Sequence, residues 1–214
     1  MRNVNQEINF ENFPPRLSFA ELKKETKILD AEGDPLVMYN RSHNDFEKFE
    51  LGKRNLEAKD GINQFGFFFS DRNDLEHYGP FVKARYLNIK KPWDIRDLGA
   101  RSDYKSFRAK LKTIGITDKD LAGYDHDFQD HNIKRNKALG SYDGLYKPGD
   151  TMLKPAAETR MATFNFFDAG EGYYLRKLLQ GKGFDGVIFA DEGENTAIAF
   201  NPSQIIEPNQ VDLN

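Results

Sequence analysis

An α+β fold is predicted for this chain of 214 residues because hairpin signals and amphipathic helix patterns occur in it side by side. The clearest hairpin signal lies in the C-terminal part, where two apolar runs at 186–190 and 196–200 flank an acidic segment that contains glycine. A second hairpin is predicted at 27–40, around a Glu-Gly-Asp-Pro turn. Helices are predicted at 102–114 and within 164–180, where apolar residues recur on one face.

The chain begins with an expected N-terminal arm and helix, residues 1–26. The start of this segment is polar and ends in Phe-Pro-Pro. Ser18 precedes an apolar residue, and Glu21 occupies the third helical position, which is a capping-box pattern. We therefore expect a short helix before the main domain at 27–206, and a C-terminal tail at 207–214.

The segment 64–71 is predicted to be a strand because it contains a cluster of phenylalanines next to a polar end. Side chains alternate between the two faces of a strand. Only one face of a strand can face a cleft, so Phe67 and Phe69 are expected to lie in the core. Ser70 or Asp71 is a suitable N-cap for a short helix within 72–79.

Most of the segment 97–163 is polar and has little periodicity, so it is interpreted as an insertion. Within it, aspartates next to His126 and His131 would suit a metal ion that prefers hard ligands. Charged loops of this kind are more often solvated than metal-binding, and no metal site is predicted.

The composition excludes several classes of protein. Cysteine is absent, which excludes a disulfide framework, a thiolate nucleophile and a cysteine-ligated zinc. The 31 basic and 34 acidic residues give a net charge of -3, which argues against electrostatic nucleic-acid binding. No apolar run approaches the roughly 20 residues of a membrane helix, and the polar N-terminus lacks the apolar region of a signal peptide. We therefore expect a cytoplasmic protein without membrane partners, or one delivered by a route that needs no such signal.

Three motifs together carry a resemblance. The C-terminal motif reads Gly-Phe-Asp-Gly-Val-Ile-Phe at 183–189 and, after a short insert, Ala-Phe-Asn-Pro-Ser-Gln-Ile at 199–205. The Lys-Ile-Leu-Asp-Ala-Glu-Gly-Asp-Pro hairpin and the phenylalanine-rich strand precede it. Over 27–95 and 164–206, the chain resembles the ADP-ribosyltransferase domain of polyvalent proteins of phages and mobile elements. The resemblance implies an α+β, ADP-ribosyltransferase-like fold, with two small, mostly antiparallel sheets around an NAD cleft and the polar insertion.

The resemblance also implies an activity. Such a mono-ADP-ribosyltransferase takes NAD as its substrate, cleaves the nicotinamide–ribose bond and transfers ADP-ribose to a macromolecular target. The target is expected to be a protein, with an arginine of a host protein as a candidate acceptor, and the role to be that of a phage or pathogen effector or toxin. An alternative of another class stays open: a catalytically degenerate transferase fold that acts as a protein-binding module through the insertion at 97–163.

Cofactor-binding residues follow from the same resemblance. The family pattern places Asn40 on a histidine that binds the adenosine ribose and Arg41 on a glycine whose main chain holds the nicotinamide carboxamide. Phe68 is implied to lie below the nicotinamide ring and Tyr78 to stack on it. The full implied set is Tyr39, Asn40, Arg41, Ser42, Phe68, Ser70 and Tyr78. Arg41 is expected to contact a phosphate of the ligand, to pair with a carboxylate at the surface, or to mark a pocket not used for NAD.

The catalytic carboxylate is the main departure from the family pattern, since the family glutamate falls on Thr196. A second subclass carries an arginine in place of the histidine and a Glu-x-Glu pair, and Arg41 with Glu192-Gly193-Glu194 has that form. Glu194 is therefore the predicted catalytic group, reaching in from the hairpin loop, and Glu192 is expected to activate the acceptor. A unit charge about 4 Å from a cationic sugar is worth roughly 4 kcal/mol at an effective dielectric of 20. Thr196 alone would thus lose about three decades of rate.

Overall fold

The computed structural model describes residues 17–50, 65–122, 161–163, 165–168, 172–191 and 193–212. Three features of the sequence lie outside these residues: the N-terminal arm, the part of the insertion that contains His126 and His131, and Glu192. The strands of the described part are β1 (Leu17–Ser18), β2 (Met38–Ser42), β3 (Phe67–Ser70), β4 (Phe81–Leu87), β5 (Pro92–Asp94), β6 (Arg101–Ser102), β7 (Met161–Ala162), β8 (Gly186–Asp191), β9 (Glu194–Ala199), β10 (Ile205–Ile206) and β11 (Val211–Asp212).

The helices form where the sequence carries apolar stripes and caps. They are α1 (Phe19–Glu25), α2 (Tyr104–Thr113), α3 (Asn165–Asp168) and α4 (Gly172–Gly181), with 3-10 turns at Glu76–Tyr78, Arg96–Leu98, Pro202–Gln204 and Pro208–Gln210. The capping box predicted for α1 is present: the Ser18 hydroxyl oxygen accepts from the Glu21 amide, and the Ser18 amide donates to the Glu21 carboxylate. In the described part of the chain, no helix combines the length and the apolar character needed to span a bilayer.

The main sheet has seven strands in the order β10-β4-β2-β3-β9-β8-β5. Its neighbours are antiparallel except for β5 and β8, which run parallel. The predicted α+β class is confirmed, and the strands expected in two small sheets around a cleft are joined in this one sheet. Two short pairs complete the architecture: β6 with β7, and β1 with β11. The last pair ties residues on either side of the main domain to each other.

The register of β3 and β9 divides the sheet into two faces. Partners across a ladder share a face, and successive residues alternate. We call the face that carries Phe68, Thr196 and Ile198 the first face, and the one that carries Phe67 and Ala197 the second face.

Each face covers its own hydrophobic core. Helices α2, α3 and α4 pack on the first face, and their core residues include Phe107, Leu111, Phe166, Phe167, Leu175 and Leu179. The second face packs against residues that include Ile28 from the 27–40 segment and Phe49, which meets Phe67 edge-on. The hairpin predicted at 27–40 is reduced to a single bridge between Leu29 and Pro35 before β2 begins.

Candidate active site

A cleft opens on the first face at the end of β3 and the start of β9, with β2 beside them. The residues that line it are Tyr39, Arg41, Phe68, Phe69, Ser70, Arg72, Leu75, Tyr78, Phe189, Asp191, Glu194 and Thr196. Its enclosed volume is about 100 Å³, well below the roughly 300–1,000 Å³ of pockets that surround a whole drug-sized ligand. The enclosed part therefore suits one ring-sized portion of a ligand, and the remainder would lie along the open surface.

Strand β2 contributes to the cleft through alternate residues only. Tyr39 and Arg41 line it, whereas Asn40 and Ser42 are buried and are absent from the described lining. The Asn40 amide nitrogen donates to the main-chain carbonyl of Phe68 at 2.8 Å, which joins β2 to β3 where the two strands separate. Of the four candidate residues on β2, Tyr39 and Arg41 thus lie in the cleft, whereas Asn40 and Ser42 are buried within the sheet.

Arg41 holds the loop that follows β3. Its guanidinium donates to the main-chain carbonyls of Asn73 and Gly79, the latter at 2.9 Å. This placement differs from the expectation of a surface arginine that pairs with a carboxylate. Gly79 is required there, since a Cβ would lie 2.2 Å from the main-chain oxygen of Ser42. The arginine and the glycine together lay the loop against β2.

That loop carries Tyr78 to the rim of the cleft. Tyr78 ends the 3-10 turn at Glu76–Tyr78, lines the cleft and is 44% exposed. Phe68, on β3, lines the same cleft from the sheet. The cap predicted for this helix is wrong, because its N-cap is Leu75, with no side-chain hydrogen bond. A flat aromatic group above and another below can hold a ring between them without any charge.

Glu194 is the first residue of β9 rather than part of the loop, since the hairpin turn is shorter than the sequence suggested. It stands opposite Asp191 in the ladder, and both side chains line the cleft. The Ser70 hydroxyl donates to the Glu194 carboxylate. Thr196, two residues further along β9, is buried opposite Ser70 on the same face. Glu194 and Thr196 therefore lie next to each other on one face of β9.

Burial raises the pKa of the Glu194 carboxyl above its usual range. The hydrogen bond from Ser70 lowers that pKa, and the negative charges of Asp191 and Asp71 raise it. The positive charge of Arg72 acts in the opposite direction and lowers it. Glu194 therefore ionises less readily than an exposed glutamate. Its ionised form is stabilised by the Ser70 hydroxyl and by the nearby guanidinium of Arg72.

Sequence reasoning missed several residues that line the cleft, notably Arg72 and Asp191. Asp191 could have been found from the hairpin, because a two-residue turn sets it opposite Glu194 on one face. Arg72 lies beside the turn, with its guanidinium 3.5 Å from where a Cβ on Gly193 would stand, and pairs with Asp74 at 2.7 Å. No local sequence signal predicts that placement, since it depends on how β3 and β9 pair.

The cleft thus combines two aromatic side chains, two arginines and a partly buried carboxylate at the ends of central strands of a mainly antiparallel sheet. Comparison with family models matches residues 30–207 to the family described as ADP-ribosyltransferase in polyvalent proteins. The chain belongs to this family, and it is an ADP-ribosyltransferase domain. Comparisons with curated proteins and with solved structures returned no match.

Proposed function

We propose that this domain cleaves NAD at the nicotinamide–ribose bond and transfers ADP-ribose to a macromolecular acceptor. The observation that carries the proposal is the position of the Glu194 carboxylate, which lines one cleft together with Phe68, Tyr78 and Arg41. The family supports the general transfer reaction, and the cleft supports NAD as the donor. The Glu-x-Glu form of the hairpin and the arginine on β2 favour the arginine subclass over the histidine subclass.

In this reaction the carbon–nitrogen bond between ribose and nicotinamide breaks, and its electron pair leaves with the nicotinamide ring, which becomes neutral. The sugar passes through an oxocarbenium-like state that carries positive charge. An acceptor group then attacks the sugar carbon and gives up a proton. A carboxylate that faces the developing charge lowers the barrier by roughly 4 kcal/mol at about 4 Å and an effective dielectric of 20.

Glu194 supplies this carboxylate, and Ser70 orients it. Thr196 has no charge and supports the site by packing. Phe68 and Tyr78 hold the nicotinamide ring, for which the enclosed volume of the cleft is suited. Arg41 is the cation placed to meet the diphosphate, since it lines the cleft and the hydrogen-bond partners of its guanidinium are main-chain carbonyls without formal charge.

The acceptor is expected to be a protein, and the acidic residues of the cleft favour a cationic side chain such as arginine. Asp191 stands opposite Glu194 and adds a second negative charge where the acceptor must enter. Glu192 is the group expected to activate that acceptor. An effector or toxin that acts inside a host cell is the biological role that fits such a reaction.

Nicotinamide release from NAD tests the proposal. The protein is incubated with NAD that carries a label on its adenosine half, with and without a cell lysate, next to Glu194→Gln. Glu25→Gln is the matched control, because Glu25 pairs with Lys90 at 2.8 Å and does not line the cleft. We expect release that needs Glu194 but not Glu25, together with label on a lysate protein. Release by none of the proteins, with no effect of NAD on the melting temperature, would contradict the proposal and favour a protein-binding module.

A further inference from the structure

Asp71 and Asn195 form a closed pair at the point where β3 and β9 stop being a regular ladder. The Asp71 amide donates to the Asn195 carbonyl at 3.1 Å. The two Asp71 carboxylate oxygens accept from the Asn195 amide at 3.1 Å and from its side-chain nitrogen at 2.8 Å. The ladder itself ends one step earlier, at Ser70 and Thr196. The Asp71 side chain thus extends the pairing by one residue beyond the strand.

The Asp71–Asn195 pair lies on the face of the sheet opposite to the side chain of Glu194. Asn195 follows Glu194 directly, and successive residues of a strand point to opposite faces. Glu194 and Ser70 line the cleft on the first face, whereas Asp71 and Asn195 border a separate cavity with second-face residues such as Met38. The start of β9 is therefore held from both faces.

A carboxylate that stabilises a transition state must be held close to its productive position. A displacement of about 1 Å can cost on the order of 100-fold in rate. Glu194 lies at the first position of its strand, next to the hairpin turn, where a strand has few constraints of its own. The three hydrogen bonds between Asp71 and Asn195 supply that constraint.

Asp71 also has an electrostatic effect on Glu194, which can be separated from the effect of its hydrogen bonds to Asn195. Its negative charge raises the pKa of Glu194, so removing the charge favours the ionised form of the catalytic group. Loss of the hydrogen bonds and loss of the charge therefore act on different observables. The first lowers the maximal rate, and the second moves the pH at which the rate reaches half of its maximum.

We propose that Asp71 is a positioning residue for the transfer reaction, which acts through Asn195 to hold Glu194 in the cleft. The inference rests on the proposed function, in which Glu194 is the catalytic carboxylate. Asp71 is not among the described residues that line the cleft. Its removal should therefore change kcat and leave the KM for NAD nearly constant.

The test compares Asp71→Ala with Asp71→Asn in nicotinamide release as a function of pH. Both variants remove the charge, but asparagine can pair with the Asn195 side chain after that amide flips. We expect Asp71→Ala to lower kcat by about 100-fold and Asp71→Asn to recover at least about tenfold of that loss. In both variants the acid midpoint should move to lower pH, because the pKa of Glu194 falls.

Two more variants keep the test decisive if Asp71→Ala is unstable. Asn195→Ala should lower kcat without moving the acid midpoint, because asparagine carries no charge. Asp185→Ala is the matched control: Asp185 accepts from the amides of Lys90 and Lys91, each at 2.8 Å, and does not line the cleft. It should lower the melting temperature and keep kcat.

The outcomes separate the inference from the proposed function. If the unaltered protein releases nicotinamide and Asp71→Ala keeps its kcat, the positioning role is overturned while the proposed function stands. Equal loss of kcat in Asp71→Ala and Asp71→Asn also overturns it, since a side chain that can restore the hydrogen bonds to Asn195 would then restore no rate. If the unaltered protein releases no nicotinamide, the proposed function fails and this role fails with it.

Discussion

The two faces of the main sheet are built from the same strands but serve different purposes. On β2, Tyr39 and Arg41 line the cleft, whereas Met38 and Asn40, one step away, are buried on the second face. On the second face, a hydrophobic core packs against the strands that carry the site, and a separate cavity lies beside Met38. Strand register, more than residue type, therefore decides which side chains can reach the cleft.

Glu194→Gln on the first face should have the largest effect. We expect kcat to fall by about three decades, since the lost charge is worth roughly 4 kcal/mol near a cationic sugar. Nicotinamide release at saturating NAD measures it. Because burial raises the pKa of Glu194, ionising it at neutral pH costs stability. The variant should therefore melt at the same or a higher temperature, and a large loss of stability would show that its inactivity is a folding defect.

Met38→Ala on the second face should show the opposite pattern. Met38 is 2% exposed within the second core, and truncation of such a methionine costs about 3 kcal/mol of unfolding free energy. Chemical denaturation followed by circular dichroism measures the loss. The folded fraction should keep its kcat. A fall in kcat as large as that of Glu194→Gln would remove the distinction between the two faces.

A comparison of Arg41→Met with Asn40→Ala tests the difference between a residue that lines the cleft and its buried neighbour on β2. Loss of the Arg41 hydrogen bonds and charge should weaken NAD binding by about 2 kcal/mol, or roughly 30-fold in KM. Asn40 lies off the cleft, and its removal should cost about 1 kcal/mol of stability with little change in KM. Steady-state kinetics over a range of NAD concentrations distinguishes them. A larger KM effect at Asn40 would return that residue to the cofactor-binding set.

Arg72→Gln should have the smallest effect, a displacement of the pH profile. The ionised form of Glu194 is the active one, so the rate rises as the pH passes upward through its pKa. The positive charge of Arg72 lowers that pKa, and its loss should move the acid midpoint of kcat to higher pH. A midpoint that moves downward would show that Arg72 does not act on Glu194 in this way.

The elements of the fold could be predicted because their signals are local. Ser18 with Glu21 marked the start of α1, and the two apolar runs marked β8 and β9. The alternation of side chains along a strand holds further information that the sequence prediction did not use. Asn40 and Arg41 are neighbours on one strand, so their side chains point to opposite faces and cannot enter the same cleft. Both residues were nevertheless proposed to bind the cofactor.

The arrangement of the site residues depends on contacts between segments that are distant in the sequence. The Ser70 bond to Glu194 and the Asp71 bonds to Asn195 each join residues 124 positions apart. The length of the turn before Glu194 moved that residue from an expected loop to a strand with a defined face. The hydrogen bonds have no signal in the local sequence, since they follow from the register between β3 and β9, whereas the turn length follows from the pairing of β8 with β9.

The most direct test of the account is a crystal structure of Glu194→Gln with NAD bound. We expect the nicotinamide ring between Phe68 and Tyr78, the diphosphate near Arg41, and a ribose hydroxyl within roughly 2.6–3.2 Å of the side chain at position 194. NAD bound on the second face beside Asn40, or a cleft that stays empty at saturating NAD, would contradict it.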